Sequence, residues 1–200
     1  MTDAQVERYS RQIILPEVGA RGQERLLAAG VAVSGTGAAA VGAVSLLGRA
    51  GVGTIDAPAT VAAPSELPPE CRIGAVDRPD VVLDLTGDAP GSAARGRRAQ
   101  AAGVPFVRGT LDGTTVIVTT LAGRPCIACV APDDAEPARA LDPLAVPAAL
   151  ALGALAAAEV LRVLLLPRDG RRTTLDIASG TCRAVPLEAT GGCPLCGANA

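Results

Sequence analysis

The chain has 200 residues, 49% of them hydrophobic, which is enough for one domain with its own core. Its formal net charge of −2 gives no sign of a nucleic acid or an anionic membrane as partner. All 18 basic residues are arginine and there is no histidine. These 200 residues therefore exclude a Schiff-base lysine, a phosphate-binding lysine and a histidine general base. One Tyr, one Phe and no Trp also exclude aromatic platforms for nucleic-acid bases.

Neither a signal peptide nor a membrane span is predicted. The first residues, MTDAQVERYSRQ, are polar and charged. The most apolar stretch, 143–166, contains Pro147, Glu159 and Arg162, and its longest uncharged run is the 16 residues 143–158. A membrane-spanning helix needs about 20 apolar residues. We interpret this stretch as a buried helix and expect a soluble, cytoplasmic protein.

The N-terminal part of the chain predicts helices followed by a first strand–helix unit. Two short helices are expected at residues 3–12 and 21–29. A β-type run at 31–34 precedes apolar residues at helical spacing from 38 to 50. Glycines end that helix, and a second strand begins at residue 54.

The middle of the chain predicts a loop and then alternating strands and helices. Residues 57–79 are rich in proline and alanine without periodicity, and we interpret them as a loop. A buried strand follows at 80–85, then a helix at 93–102. Further strands are expected at 104–107 and 114–120.

A long helix at 148–165 and a strand pair between 173 and 187 complete the predicted elements. Alternating strands and helices predict an α/β fold with a doubly wound, Rossmann-like, mostly parallel sheet. We expect one domain. It would comprise a helical segment at 1–30, the Rossmann-like core at 31–120, and the long helix, final strands and a metal knuckle at 121–200.

A glycine-rich turn joins the first strand to its helix. Gly35, Gly37 and Ala40 form a G-x-G-x-x-A pattern, in which the first glycine permits a tight turn and the second lets phosphate approach the backbone. Asp56 follows at about the 20-residue spacing of a ribose-binding acid in Rossmann folds. The pattern predicts a nucleotide site, and a turn that serves packing alone is the alternative.

Two C-x-x-C pairs predict a metal site. The four residues are Cys126, Cys129, Cys193 and Cys196. Two such pairs have the spacing of a tetrahedral, four-thiolate structural zinc site. Reduced thiols or disulfides are the alternative. Cys71 and Cys182 stand outside the pairs, and we interpret both as small apolar residues because no histidine can act as their base.

Six segments together resemble the ThiF/MoeB family, the bacterial relatives of ubiquitin-activating enzymes. They occur in the family's order and span essentially the whole chain. The segments are ERYSRQIILPEVGARGQERL (7–26), AGVGTI (50–55), VVLDLTGD (81–88), GVPFVRGTLDG (103–113), GRPCIACV (123–130) and GGCPLCG (191–197).

The resemblance implies a homodimer or heterodimer that adenylates the C-terminal Gly-Gly carboxylate of a ubiquitin-fold sulfur carrier and releases pyrophosphate. Such chemistry uses Mg²⁺ and fixed cations around the α-phosphate. The resemblance also implies a structural zinc at the four paired cysteines. It implies that Arg11 reaches the partner subunit's ATP, a role that suits a guanidinium fork. Arg8 and Arg25 lie on the adjoining helices, and surface arginines on a solvated helix are the alternative.

Several family positions are altered in this chain. Ala59 stands where the ribose-binding acid is expected, and Arg72 is the nearest candidate for a displaced phosphate-binding arginine. The phosphate-binding lysine is absent, together with a long segment before the third strand. Gly87 replaces the acid needed for adenylation, with Asp88 one residue late. Arg139 stands near the position of the thioester-forming cysteine of some members.

These departures predict a degenerate, non-adenylating subunit, either a scaffold or a donor of Arg11, that pairs with a competent homologue or binds a ubiquitin-like or peptide partner. A compact adenylyltransferase is the first alternative. Its candidate ligands for Mg²⁺ and phosphate are Asp56, Asp84, Asp88, Arg72 and Arg108. A module that holds a nucleotide as a structural or sensing ligand is the second alternative.

Overall fold

An eight-stranded β-sheet organises the fold in the computed structural model, which describes residues 1–61, 67–130, 143–167 and 169–197. The strands are β1 Gly30–Ser34, β2 Thr54–Asp56, β3 Arg72–Ile73, β4 Val81–Asp84, β5 Phe106–Asp112, β6 Thr115–Leu121, β7 Arg171–Asp176 and β8 Thr181–Pro186. Their order is β3-β2-β1-β4-β5-β6-β7-β8. The pairings from β3 to β5 are parallel and those from β5 to β8 are antiparallel.

Helices cover the two faces of the sheet. They are α1 Asp3–Arg8, α2 Ser10–Ile13, α3 Gly19–Ala28, α4 Gly37–Ala50, α5 Ala89–Ala101 and α6 Ala145–Leu165, with a short 3₁₀ helix at Ile127–Cys129. The main core lies between the sheet and α4 and α6. A smaller cluster around Phe106 lies beneath α5 on the other face. The predicted doubly wound, mostly parallel sheet with a C-terminal strand pair is confirmed.

The largest differences from the predicted elements concern β3 and α5. The two residues of β3 are both exposed, so no alternation of apolar and polar residues indicated a strand. The helix predicted from residue 93 begins at Ala89, after Asp88 in the N-cap position and with Pro90 in its first turn. Both residues favour a helix start, so the local signal was present in the sequence.

The closest helix packing in the core is that of α4 on α6. A Cβ atom at Gly153 of α6 would lie far closer to the carbonyl oxygen of Ala39 on α4 than van der Waals contact allows. Ala40 and Ala43, both fully buried, continue the small-residue face of α4. Because these residues are small, the two helix backbones approach each other directly.

A buried carboxylate ties α6 to the antiparallel half of the sheet. Glu159, 1% exposed, accepts hydrogen bonds from Thr120 Oγ1 at 2.7 Å, Arg162 Nε at 3.1 Å and Arg171 Nε at 3.0 Å. Burial alone would raise the pKa of Glu159, but the hydrogen bonds from Arg171 and Thr120 and the charge of Arg162 outweigh it and lower that pKa. The carboxylate is therefore charged and fully paired.

The apolar helix α6 is an interior element of this fold. By length and composition it is the one described helix that could cross a membrane, but half of its most apolar window is buried in the protein. It packs on α4 and on strands β4 to β6, and it carries the buried Glu159. Its apolar character is explained by these contacts, as the sequence predicted.

We expect Gly153→Ala to lower the free energy of unfolding by about 1–3 kcal/mol, because the new methyl group forces α4 and α6 apart. Gly42→Ala is the matched control on α4, where a Cβ meets no atom within 4 Å. Removing this helical glycine should raise stability by about 0.5–1 kcal/mol. Urea unfolding of both variants measures the difference, and equal effects would contradict the close packing.

We expect Glu159→Gln to lower the free energy of unfolding by about 3 kcal/mol at pH 7, because Arg171 and Arg162 lose a buried charged partner. The lowered pKa of Glu159 means that its contribution is fully present above the pKa of an unfolded glutamate, about 4.3. That contribution is lost as the pH falls through the lower, folded-state pKa. Urea unfolding at a series of pH values should therefore show wild type and variant converging in acid. The exposed Glu188→Gln is the control.

Candidate functional site

The glycine turn between β1 and α4 lies against the end of β4. Gly35 has a φ of 124°, and a Cβ there would lie 2.7 Å from the carbonyl carbon and oxygen of Leu85. Gly37 has a φ of 75°, and a Cβ there would meet no atom within 4 Å. The first glycine is therefore required by close packing, whereas the second begins α4 with open space beside its backbone. Ala40 is fully buried, as the third position of the pattern requires.

A cavity of about 550 Å³ opens at this turn, at the carboxyl ends of β1, β4 and β5. It is lined by Thr36, Gly37, Ala38, Ala39, Leu85, Thr86, Gly87, Gly109, Thr110, Leu111, Ala149 and Leu152. The first backbone N–H groups of α4 lie in this lining, and helix N-termini bind anions through such groups. The position and volume suit a nucleotide, because ligands of open α/β sheets bind at the carboxyl ends of the strands.

Polar contacts to a ligand in this cavity would come from hydroxyl and backbone groups. No charged side chain belongs to its described lining. Thr110 on β5 is 3% exposed, and its Oγ1 has no hydrogen-bond partner within the described structure. Thr110 belongs to the cavity lining, so its hydroxyl is a candidate hydrogen-bonding group for a ligand.

The acidic residue at the end of β4 is held away from the cavity. Asp84, 1% exposed, receives hydrogen bonds from Arg95 Nε at 3.1 Å and Arg95 NH2 at 3.2 Å. The backbone N–H and the hydroxyl of Thr86 also donate to it, at 3.0 and 2.8 Å. Both carboxylate oxygens are occupied, so Asp84 shapes the loop that bears Gly87.

The other acidic candidates, Asp56 and Asp88, are also absent from the described lining of the cavity. Asp56 ends β2 and lies opposite Ala32, which is two residues before the end of β1. The Asp56 carboxylate accepts a 3.4 Å hydrogen bond from the backbone N–H of Val76. Asp88 is exposed at the start of α5. Ala59, at the aligned ribose position, is exposed in a turn.

The N-terminal arginines differ in their contacts. Arg8 forms a 3.5 Å ion pair with Glu70, and Arg25 donates a 3.2 Å hydrogen bond to the carbonyl oxygen of Leu164. Arg11 is exposed on α2, and its side chain forms no hydrogen bond or ion pair with the described residues. Its guanidinium is therefore available to another chain, and its role in trans stays a prediction.

The remaining arginine candidates do not belong to the described lining of the cavity at the glycine turn. Arg72 NH2 donates a 3.3 Å hydrogen bond to Thr54 Oγ1 at the far edge of the parallel strands. Arg108, 6% exposed, lines a separate cavity of about 320 Å³ with residues of α5 and the 3₁₀ helix. Arg139 lies outside the described residues.

The four paired cysteines come together although 67 residues separate the two pairs. Their Sγ atoms all lie within 4.8 Å of one another. The Cys126–Cys129, Cys126–Cys193 and Cys129–Cys196 separations are 3.9, 3.6 and 3.3 Å. Four sulfurs placed tetrahedrally at the usual Zn–S distance are about 3.8 Å apart. The cluster therefore fits one tetrahedral ion such as zinc, with no position left for water.

The pKa values of the four thiols differ in direction, lowered for Cys129 and Cys193 and raised for Cys126 and Cys196. Backbone N–H groups of Cys196 and Leu195 lower the pKa of the Cys193 thiol to about 6. Burial raises the pKa of Cys126 to about 12, so a metal ion must displace its proton. Outside the cluster, Cys71 packs on the core with a pKa raised by burial, and Cys182 is exposed on β8.

Sequence reasoning missed two features of the cavity. Arg95 reaches Asp84 across 11 residues, a contact that requires α5 to fold back over β4. Thr110 follows Gly109 near the carboxyl end of a strand, where ligand-binding residues of α/β sheets occur. That position was the available signal, but only the structure leaves its hydroxyl without a partner.

Curated proteins similar to this chain are activating enzymes. The chain is 27% identical over 244 positions to the sulfur carrier protein ThiS adenylyltransferase of Escherichia coli K12, covering 98% of this chain and 97% of that protein. It is 28% identical over 242 positions to the SAMP-activating enzyme E1 of Haloferax volcanii. This match covers 96% of this chain and 89% of that protein. A segment of 55 residues is 49% identical to the adenylyltransferase and sulfurtransferase uba4 of Pyricularia oryzae. This segment covers 28% of this chain and 11% of that protein. No protein-family model matches the chain.

Solved structures with the same fold include E. coli MccB. Its complex with ATP matches with a TM-score of 0.71 at 14% identity, covering 98% of this chain and 75% of MccB. Its complex with AMPCPP and MccA gives a TM-score of 0.71 at 16% identity, covering 95% and 74%. PaaA matches with a TM-score of 0.68 at 13% identity, covering 94% and 75%. These likenesses support the fold.

We expect the purified protein to contain about one zinc ion per chain, and Cys126→Ser to abolish this content. Removing one thiolate opens the tetrahedral site, so the variant should also unfold at a lower temperature. Cys182→Ser, which alters the exposed cysteine of β8, should leave both values unchanged. Elemental analysis and thermal unfolding test this, and a metal-free wild-type protein at full stability would contradict it.

Proposed function

Because this chain is a member of the ThiF/MoeB family, we propose that it is a compact ATP-dependent adenylyltransferase. It activates the C-terminal carboxylate of a sulfur-carrier protein or a peptide. The observation that carries the proposal is the cavity of about 550 Å³ that opens at the glycine turn and the start of α4, at the carboxyl ends of the parallel strands. Relatives matched over most of their length are named as adenylyltransferases or activating enzymes, which supports the same activity.

ATP would bind across the glycine turn. The N–H groups of Gly37, Ala38 and Ala39 at the start of α4 would bind phosphate oxygens, with the helix dipole favouring negative charge. The hydroxyl of Thr110 would form a hydrogen bond with the nucleotide. Gly87 has no side chain, so the cavity stays open where this residue lines it. The carboxylate of the acceptor would attack the α-phosphorus, forming an acyl adenylate and releasing pyrophosphate.

Much of the charge for this step would come from outside the chain. Mg²⁺ would enter with ATP, and Asp88, next to Gly87, is a candidate ligand. Arg11 would come from the partner subunit of a homodimer or heterodimer. Exposed apolar side chains support such an interface, notably Ile14 after α2 and Val146 and Leu150 on α6, which are 77%, 63% and 51% exposed.

The cysteine cluster would hold a structural zinc ion. Cys126 and Cys129 would bind it from the middle of the chain, and Cys193 and Cys196 from the C-terminal part. The ion would attach the C-terminal tail to the 3₁₀ helix beside α5. Zinc would therefore stabilise one side of the fold and take no part in the chemical step.

A non-adenylating subunit is the second candidate function. It is favoured by one observation, that the described lining of the cavity carries no charged side chain. In this case the chain would pair with a competent homologue and donate Arg11 to its site. The two candidates differ in what the protein does alone.

We expect Mg·ATP to bind the zinc-loaded protein, and Thr110→Val to weaken binding roughly three- to tenfold, the effect of one neutral hydrogen bond. The free energy of unfolding of the variant should equal or exceed that of wild type, since the Thr110 hydroxyl it removes has no protein partner. Thr173→Val is the matched control, because Thr173 is another buried hydroxyl without a partner, on β7 away from the cavity. Calorimetric titration measures the affinities. If no heat of binding is detected at millimolar ATP, the proposal of a nucleotide site is wrong.

ATP–pyrophosphate exchange separates the candidate functions. The protein alone should catalyse exchange when a ubiquitin-fold protein of the same host, ending in Gly-Gly, is added. The same acceptor with an amidated C-terminus should be inactive, because it lacks the attacking carboxylate. Exchange that requires an added homologue and falls with Arg11→Ala in this chain would favour the non-adenylating subunit. ATP binding without exchange in either mixture would favour a nucleotide-holding module.

A further inference from the structure

Among the described residues, α5 is the single helix that covers the second face of the parallel sheet. Parallel sheets are usually buried by helices on both faces. The connection from β2 to β4 contains β3 and no helix among its described residues, so α5 is the helix on this face. Val31 and Val33 of β1 are buried beneath α4 and α6, whereas Ala32 and Ser34 on the opposite face are half-buried.

A groove of about 300 Å³ lies on this face between α5 and the loop before β4. Its lining consists of Ser34, Pro79, Val82, Arg95, Arg98, Ala99, Ala102 and Val104. The floor is apolar apart from the serine, and two arginines stand along the α5 wall. The groove is distinct from the nucleotide cavity, with which it shares no lining residue.

The charge of the α5 wall is one-sided. The helix contains Arg95, Arg97 and Arg98 and no acidic residue. Arg95 is neutralised by its ion pair with Asp84. Arg98 is exposed and forms no ion pair with any described residue, so the groove combines apolar contacts with a positive charge on its rim.

We propose that this groove is a docking site for an acidic, amphipathic segment of a partner polypeptide. Apolar side chains of the segment would contact Val82 and Val104, and a carboxylate would bind the guanidinium of Arg98 in a charge-assisted pair. Charge complementarity selects an acidic partner. The apolar floor and the absence of aromatic residues in the lining argue against a nucleic acid.

This docking site does not depend on the proposed adenylation. Its residues belong to β1, β4, α5 and the adjoining loops, and none of them binds the nucleotide in the proposal above. Binding to the groove is therefore measured without ATP. If the protein does not catalyse adenylation, the docking experiment still tests the groove. If the peptide does not bind the groove, the exchange experiment still tests adenylation.

The probe is a fluorescein-labelled 18-residue peptide with leucines at helical i, i+3, i+4 spacing and glutamates elsewhere. Fluorescence anisotropy with the full, zinc-loaded protein should show saturable binding. Replacing the glutamates by glutamines should weaken it at least tenfold, and so should Arg98→Glu. Arg97→Glu is the matched control, because Arg97 is an exposed neighbour on α5 outside the groove lining, and its effect should stay below threefold.

A second variant tests the apolar part of the site. Ala102→Trp fills the groove from the end of α5 and should abolish binding while circular dichroism and thermal unfolding stay as in wild type. Equal weakening by Arg97→Glu and Arg98→Glu would indicate diffuse electrostatics and overturn the proposal. No binding at millimolar protein would overturn it. Preferential binding of a single-stranded oligonucleotide of similar charge would overturn it in favour of a phosphate-binding face.

Discussion

The direct backbone contact between α4 and α6 positions two walls of the cavity at the glycine turn. Gly153 brings α6 against the carbonyl of Ala39, in the first turn of α4. The start of α4 forms one wall of the cavity, and α6 contributes Ala149 and Leu152 to another. A larger residue at 153 would move both walls at once. The close approach of Gly35 to Leu85 fixes the turn from the side of the sheet in the same way.

Buried charges in the described fold are used for structure. Glu159 is paired with Arg162 and Arg171 between α6 and β7, and Asp84 is paired with Arg95 between β4 and α5. The Glu159–Arg171 and Asp84–Arg95 pairs each join a helix to the sheet, whereas Arg162 lies on the same helix as Glu159. Each carboxylate is fully hydrogen-bonded, which compensates for its desolvation. The described lining of the nucleotide cavity is neutral by contrast. Adenylation would therefore depend on Mg²⁺, on neighbouring loop residues and on the partner's arginine.

Features set by local chemistry were predictable, and features set by folding geometry were less so. The strand–turn–helix at the glycine turn and the long helix α6 follow from turn chemistry and apolar periodicity. The two-residue strand β3 carries no pattern of its own and forms only because β2 offers hydrogen bonds. Asp84 was a plausible Mg²⁺ ligand in the sequence, since nothing local reveals that Arg95 occupies it.

The sequence by itself determined the chemistry that these residues can offer: two C-x-x-C pairs, a glycine turn, and arginine as the one strongly basic side chain. Only the tertiary structure decided which of these groups meet. It brought Cys126 within 3.6 Å of Cys193, left the Thr110 hydroxyl unpartnered beside the cavity, and exposed Arg98 over an apolar groove. Residue types and short spacings can be read directly from the sequence, whereas contacts between distant segments depend on how helices and strands pack.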